Sequence, residues 1–260
     1  MECTLVISTY NWPQALDLVL KSVLRQRVLP GEVIVADDGS KEETKQLIES
    51  YQQGFPVPLI HMWHEDDGFR KTIILNKAFK AAKGEYIIQI DGDIIIHPDF
   101  IKDHLKFSEK GYYIKGSRGL LTKELTEKIL TSKQINFSLL QAGIKSRFNV
   151  TRLPLASRLL YGKPDNTRKV KGCNFAVWKS DFIAVNGYNN DVKGWGHEDI
   201  ELAARLVNHG VKQRHLKLAA ICFHIHHELA SRHKEAHNLQ SYYDVIHNKV
   251  ERCESGYDQV

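Results

Sequence analysis

Five groups of residues have the types and spacing to do chemistry. Asp91-Gly92-Asp93 closes a largely apolar run, Tyr86 to Ile90. Asp37 and Asp38 close another before Gly39-Ser40, and Glu65, Asp66 and Asp67 follow a third. Carboxylates gathered at strand ends repel unless a cation or hydrogen-bond donors meet them. A hard divalent ion that keeps waters and substrate phosphates as its other ligands suits such oxygens. Asp-Gly is also a common turn signal, and for Asp37-Asp38-Gly39-Ser40 alone the turn reading stands level. For Asp91-Gly92-Asp93, after a buried strand, metal binding is the stronger reading. Glu198 and Asp199 open a helical pattern, where the dipole stabilises carboxylates and either acid alone needs no other reason. His224-Ile225-His226-His227 follows an apolar run and offers imidazole ligands, His224 first and His227 next. His233 and His237, one turn apart, read as solvated helix residues.

What is missing narrows the chemistry further. There is no HExxH, GxGxxG or GxxxxGK[ST]. A zinc protease is not expected, and a diphosphate would have to be held by metal and arginine, without a glycine-rich cradle. Arg70 has a planar fork suited to a base or a diphosphate. Its alternative is a surface ion pair with Asp66 or Asp67. Trp195, between Gly194 and Gly196, suits the apolar face of a sugar better than a core position.

These residues need strands and helices to place them. Thr4–Thr9, Glu32–Ala36, Val57–Trp63 and Tyr86–Ile90 read as strands. Helical spacing follows Pro13. A capping box at Ser40 and Glu43 predicts a helix to about Gln53. Lys71–Lys83 reads as a helix closed by Gly84 as a left-handed terminator. Such alternation predicts a mostly parallel α/β sheet covered on both faces, with ligands beyond the carboxyl ends of the strands. The second half is less regular: a helix over Leu125–Ala142, strands at Val170–Trp178 and Leu216–Phe223, and helices over Glu198–His209 and Arg232–Lys249. One domain, 1–260, is expected, with halves 1–116 and 117–260.

The chain has 260 residues, 42% apolar and 26% charged, which excludes disordered, collagen-like and coiled-coil classes. No run approaches the ~20 apolar residues that span a bilayer, and the acidic start shows no signal peptide. Four scattered cysteines without a CxxC fit a reducing cytoplasm. The net charge is +5, yet the segment 143–172 holds eight bases and one acid, or +7, leaving −2 for the rest. Within it Arg147, Arg152 and Arg158 alternate with leucines, a composition that suits an anionic membrane surface or a lipid-linked acceptor. The alternative is a solvated loop, or one closing over a diphosphate. Nucleic acid is not an expected partner, because no binding module surrounds the patch.

In order, Val6-Ile7-Ser8-Thr9-Tyr10-Asn11, Val35-Ala36-Asp37-Asp38-Gly39-Ser40, Gly68-Phe69-Arg70 and Asp91-Gly92-Asp93 resemble the family 2 glycosyltransferases of the GT-A fold. Gly194-Trp195-Gly196-His197-Glu198-Asp199 is similar to the acceptor motif of beta-galactosyltransferases and bacterial chondroitin polymerases. The resemblance implies a metal-dependent, inverting hexosyl transfer from a nucleotide sugar, UDP-linked, to a saccharide or lipid-linked saccharide. It implies a setting in bacterial surface polysaccharide or lipopolysaccharide synthesis, in the cytoplasm or peripheral on the inner face of the membrane. Asp38, Thr9, Tyr10 and Arg70 would hold the donor. Asp93 would coordinate Mn2+ or Mg2+, with Asp91 on ribose or metal water and a histidine, His224 or His227, as a further ligand. Asp199 would be the general base, and Glu198 and Trp195 would hold the acceptor. Leu75 departs from the family's usual arginine, so one donor contact is missing or Lys77 replaces it. The alternatives are a nucleotidyltransferase making nucleotide sugars and a non-catalytic sugar- or metal-binding module.

Overall fold

A computed structural model describes residues 2–194, 196–228 and 235–260. Its seven-stranded sheet begins with β1 (Cys3–Thr9), β2 (Glu32–Asp37), β3 (Leu59–Trp63) and β4 (Tyr86–Asp91). These four are parallel, in the order β4-β1-β2-β3. β1 and β2 are buried throughout, and their alternate residues serve two different cores. Leu5, Ile7, Val33 and Val35 pack with α1 (Pro13–Leu24), α2 (Glu42–Gln52) and α4 (Phe100–Phe107). Val6, Ile34 and Ala36 pack with α3 (Lys71–Ala81), α6 (Lys179–Ala184), α7 (Glu198–Asn208) and α8 (Glu235–His247). The result is a helix–sheet–helix sandwich.

β9 (Asn174–Trp178) runs antiparallel between β4 and β6 (Tyr112–Gly116), and β10 (Lys212–Leu216) pairs in parallel with β6. The two halves of the chain therefore share one sheet. The carboxyl ends of β1, β2, β4, β6 and β10 reach the same edge. A second sheet stands beyond it, in the order β5-β11-β7-β8. It is built from β5 (Ile94–Ile96), β7 (Gly119–Leu121), β8 (Ile144–Lys145) and β11 (Cys222–His224). α5 (Lys123–Ser132) packs on it through Leu125 and Ile129. The tight link from β4 to β5 is Gly92-Asp93, so the acidic motif is the hinge between the two sheets.

Several local expectations need correction. Ser40 does not cap α2: its hydroxyl accepts the Asn11 amide, and the cap is Lys41 without a side-chain bond. Gly84 is not a left-handed terminator. It is required by close packing, since a Cβ there would lie 2.6 Å from the Thr4 nitrogen. The helix begun at Leu125 stops at Ser132, where Lys133 turns left-handed with φ 57°. Leu216 to Phe223 is two strand ends from different sheets, joined by a turn with Leu218 and Ala220 at positive φ. The strands expected at Val57 and Val170 begin later, at Leu59 and Asn174. Among the described residues, no helix is long and apolar enough to cross a membrane.

Candidate active site

The hinge places Asp93 against β11. His224 pairs with Ile94 in the antiparallel register, and the Ile225 amide donates to the Asp93 carbonyl at 3.0 Å. Asp93 Oδ2 lies 3.5 Å from His224 Nε2 and 3.3 Å from His227 Nε2. Among the described residues these three form one cluster whose ligand atoms lie within 4.8 Å of each other. Asp93 Oδ1 is buried without a hydrogen-bond partner. Burial, then the nearby Asp91 charge, pushes the Asp93 carboxyl up to about 7. Burial, then Arg118, pushes His224 down to about 3, leaving a neutral imidazole. One carboxylate with an unmet oxygen and two imidazoles are a donor set that fits a divalent cation.

Asp91 stands beside this cluster, outside the three residues whose ligand atoms converge. Its Oδ1 accepts from the Ser8 hydroxyl at 2.8 Å and from Lys71 Nζ at 2.7 Å. Burial works to raise the Asp91 carboxyl, but the Lys71 ammonium overrides it and holds the group below its ordinary value. Lys71 was not singled out from sequence. It opens α3, where a cation opposes the helix dipole, and that misfit was the available signal. Asp91, Asp199 and Glu198 together hold its ammonium well above its ordinary pKa against a large burial cost.

Glu198 and Asp199 form the first turn of α7. The Gly172 amide donates to Asp199 Oδ2 at 2.7 Å, while Oδ1 is buried and unpartnered. Glu198 Oε2 curls back to accept the Gly196 amide at 3.1 Å. Burial raises Asp199 above its ordinary value, and burial with the Asp199 charge pushes Glu198 up to about 7. A cavity of about 240 Å³ opens on Asp199, lined also by Arg168, Lys171, His197 and Tyr242. Trp195 and His233 lie outside the described residues; His237 is exposed.

The remaining acids end β2. Asp38 Oδ1 lies 2.7 Å from His64 Nε2, and Oδ2 accepts the Arg70 amide at 3.0 Å. Asp37 binds the Ser40 amide at 2.8 Å and His61 Nε2 at 2.9 Å. His61 and His64 were not foreseen; both follow from the β2–β3 register, which sets His61 opposite Val35. The Arg70 guanidinium touches the Glu65 carbonyl and lies 3.4 Å from Asp67, the surface pairing weighed above. The half-exposed Tyr10 donates its hydroxyl to Asp66 at 2.9 Å, while Thr9 is buried beside Gly92.

The basic segment divides in two. Arg152 is structural: it lies 2.8 Å from Asp103 and 3.4 Å from Asp99. Asp103 in turn accepts the Ala220 amide at 3.0 Å, propping the turn that feeds β11. Leu155 and Leu159, by contrast, are 87% and 85% exposed beside Arg158.

Residues 4–172 match glycosyl transferase family 2, and residues 155–228 match the N-terminal domain of galactosyltransferase. Chondroitin synthase of Pasteurella multocida (strain Pm70) is 24% identical over 223 residues, covering 80% of this chain and 23% of that protein. The curated relatives compared are longer, and the chain spans 48% or less of the first two. Two solved structures share the fold, which is GT-A. A Pyrobaculum calidifontis mannosyltransferase in complex with GDP-Man and Mn2+ has TM-score 0.64 at 17% identity, covering 95% of this chain and 64% of that one. Staphylococcus aureus TarS 1–349 in complex with UDP-GlcNAc has TM-score 0.64 at 16% identity, covering 99% and 69%.

Proposed function

The chain belongs to glycosyl transferase family 2, and we propose that it moves a hexose-type sugar from a UDP-linked donor to a saccharide hydroxyl with inversion. One observation carries the reading. Asp93 and Asp199 each keep one buried oxygen without a hydrogen-bond partner, and the half-buried Lys71 ammonium acts on both carboxyls. One suits a cation, the other a proton.

Asp93, His224 and His227 would hold Mn2+; two imidazoles favour it over Mg2+. Bound there, a divalent ion supplies Lewis-acid stabilisation of the departing diphosphate. Asp199 Oδ1 takes the acceptor hydroxyl proton, and its other oxygen is fixed by the Gly172 amide so that the free one stays aimed. Burial raises the basicity of Asp199, which improves it as a base near neutral pH. Glu198 and Trp195 hold the acceptor. Lys71 keeps Asp91 ionised, so that Asp91 can accept from a ribose hydroxyl. Asp38, already fixed through both oxygens, orients the Arg70 backbone at the edge of a donor site that includes Thr9, Tyr10 and Arg70.

We read the 260 residues as one catalytic unit acting on bacterial surface polysaccharide or lipopolysaccharide at the cytoplasmic face. Peripheral membrane contact would use the exposed Leu155 and Leu159 with Arg158. The chondroitin synthase relative supports a saccharide acceptor, and the fold neighbours' nucleotide-sugar complexes support the donor class. The test is a thermal-shift panel of UDP, GDP, dTDP and CMP with and without Mn2+. A ligand at 100 times its Kd adds about 2.7 kcal/mol. UDP stabilising only with Mn2+ is expected; no shift with any nucleotide would overturn the donor site.

A further inference from the structure

A strip of lysines lies at the edge that carries the active-site acids. Lys115 sits near the end of β6, opposite His215 of β10, and Lys217 follows that strand. Lys169 and Lys171 lie on the segment entering β9, whose Phe175 pairs with Lys115. Among the described residues, no carboxylate lies within ion-pair distance of these four ammonium groups. The Lys115 side chain is packed into the sheet, with the residue only 6% exposed. Burial, followed by Lys169, Lys217 and Lys171, lowers its ammonium to about 8. Burial, followed by Lys115, Lys217 and Lys169, pushes His215 down to about 4, so it stays neutral and pairs with the Ser117 hydroxyl at 3.1 Å. Lys171 belongs to two neighbourhoods. Its charge acts on Lys115 and on Asp199, and with Arg168 it lines the cavity that opens on Asp199. Arg168 is steadied by the Tyr243 hydroxyl at 2.8 Å.

Folding brings these like charges together, and among the described residues none of the four ammonium groups has an ion-pair partner, while the active-site acids next door are matched by Lys71. We propose, resting on the transferase reading above, that Lys115, Lys169, Lys171 and Lys217 form an anion subsite. It seats the carboxylate or phosphate of an acidic acceptor saccharide while Asp199 faces that acceptor's hydroxyl. A lipid surface fits this strip less well, because Lys115 is recessed. The exposed Leu155 and Leu159 lie on the segment that hydrogen-bonds to His215 and Leu218, on either side of Lys217, so lipid vesicles form one arm of the test.

The test titrates the protein with methyl glucuronide, glycerol 3-phosphate and neutral methyl glucoside, followed by NMR, with and without UDP and Mn2+. A Lys169→Ala/Lys217→Ala variant is measured beside it; neither residue is buried, so the fold is retained. Expected is at least tenfold tighter binding of one or both anions than of the glucoside, weakened by salt and lost in the variant, with UDP affinity unchanged. The stronger of the two anions names the acceptor's acidic group. Equal affinity for glucoside and anions overturns the proposal, as does a preference that survives in the variant. Phosphatidylglycerol vesicles captured through Lys169 and Lys217, with neither soluble anion bound, overturn it in favour of a lipid surface. Failure of UDP to bind either protein sinks the donor reading instead, because the anion preference is scored in the UDP-free arm.

Discussion

Replacing Gly172 with alanine should slow turnover about 10²-fold without touching the donor site. A Cβ there would lie 2.5 Å from Asp199 Oδ1 and 2.6 Å from Gln89 Nε2. Gln89 cannot yield: it is fully buried, donates to the Gly172 carbonyl at 3.2 Å and accepts the Tyr188 hydroxyl at 2.9 Å. The Gly172 backbone must therefore draw back from Gln89 while Asp199 moves by up to about 0.9 Å to restore an ordinary 3.4 Å contact, and both shifts disturb the amide bond that aims Asp199. A displacement of about 1 Å at a reacting group costs on the order of 10²-fold in rate. The accompanying overpacking costs about 1–3 kcal/mol of stability, which a domain of this size tolerates. The assay is UDP release from UDP-sugars with water as acceptor, which needs the same base and no knowledge of the natural acceptor. Gly172→Ala should fall about 10²-fold in kcat with UDP binding unchanged, and Asp199→Asn should fall about 10²- to 10⁴-fold. A Gly172→Ala enzyme within threefold of wild type would refute the argument that Asp199 is the base held by this amide.

Other perturbations read other parts of the site. Lys71→Met leaves Asp91 buried without its cation and should cost about 3–5 kcal/mol in urea unfolding at pH 8; an unchanged midpoint would show that the 2.7 Å pair contributes nothing. His224→Ala should weaken Mn2+ binding, followed by manganese electron paramagnetic resonance, at least tenfold; equal titration curves would remove His224 from the ligand set. Glu198 is raised from its ordinary 4.5 to about 7 on folding, so the folded state holds the extra proton between those values. Stability then falls as pH rises through that window, and above about 7 the penalty is on the order of 3 kcal/mol. Glu198→Gln lacks it and should be more stable than wild type at pH 8 but not at pH 4; a pH-independent difference in unfolding midpoint would contradict this.

Much of the fold was legible because its strands are buried on both faces. Apolar runs such as Thr4–Thr9 and Glu32–Ala36 have no solvent face to blur the signal. The second sheet was not legible, because β5, β7, β8 and β11 are two or three residues long and find their partners only in space. The helix begun at Leu125 was extended too far by Leu139 and Leu140, which match helical spacing yet are exposed at 44% and 82%. The acids of the site were legible as motifs, but their partners were not. Ser8, Lys71 and Gly172 reach Asp91 and Asp199 across 83, 20 and 27 residues, distances at which periodicity says nothing.

The misfits that sequence reasoning passes over are themselves the better guide to this site. Lys71 opens a helix with the wrong charge for its dipole. His197 holds φ 72°, a conformation that costs a non-glycine residue, immediately before the two acids of α7. Leu218 and Ala220 adopt positive φ just before β11, which carries His224. Glu198 and Asp93 are buried as carboxyls that resist ionisation. Each of these choices runs against the local preference of its position, and Lys71 offsets its own misfit only by pairing with Asp91. All of them fall on elements that end at one edge of the sheet. A core cannot explain that concentration, since core residues are selected to agree with local preference. The proposed site, which would hold a cation, an anionic diphosphate and a free base together, does explain it. Each ligand would supply a compensating charge or contact, so that binding would relieve the strain and recover the cost in stability as affinity.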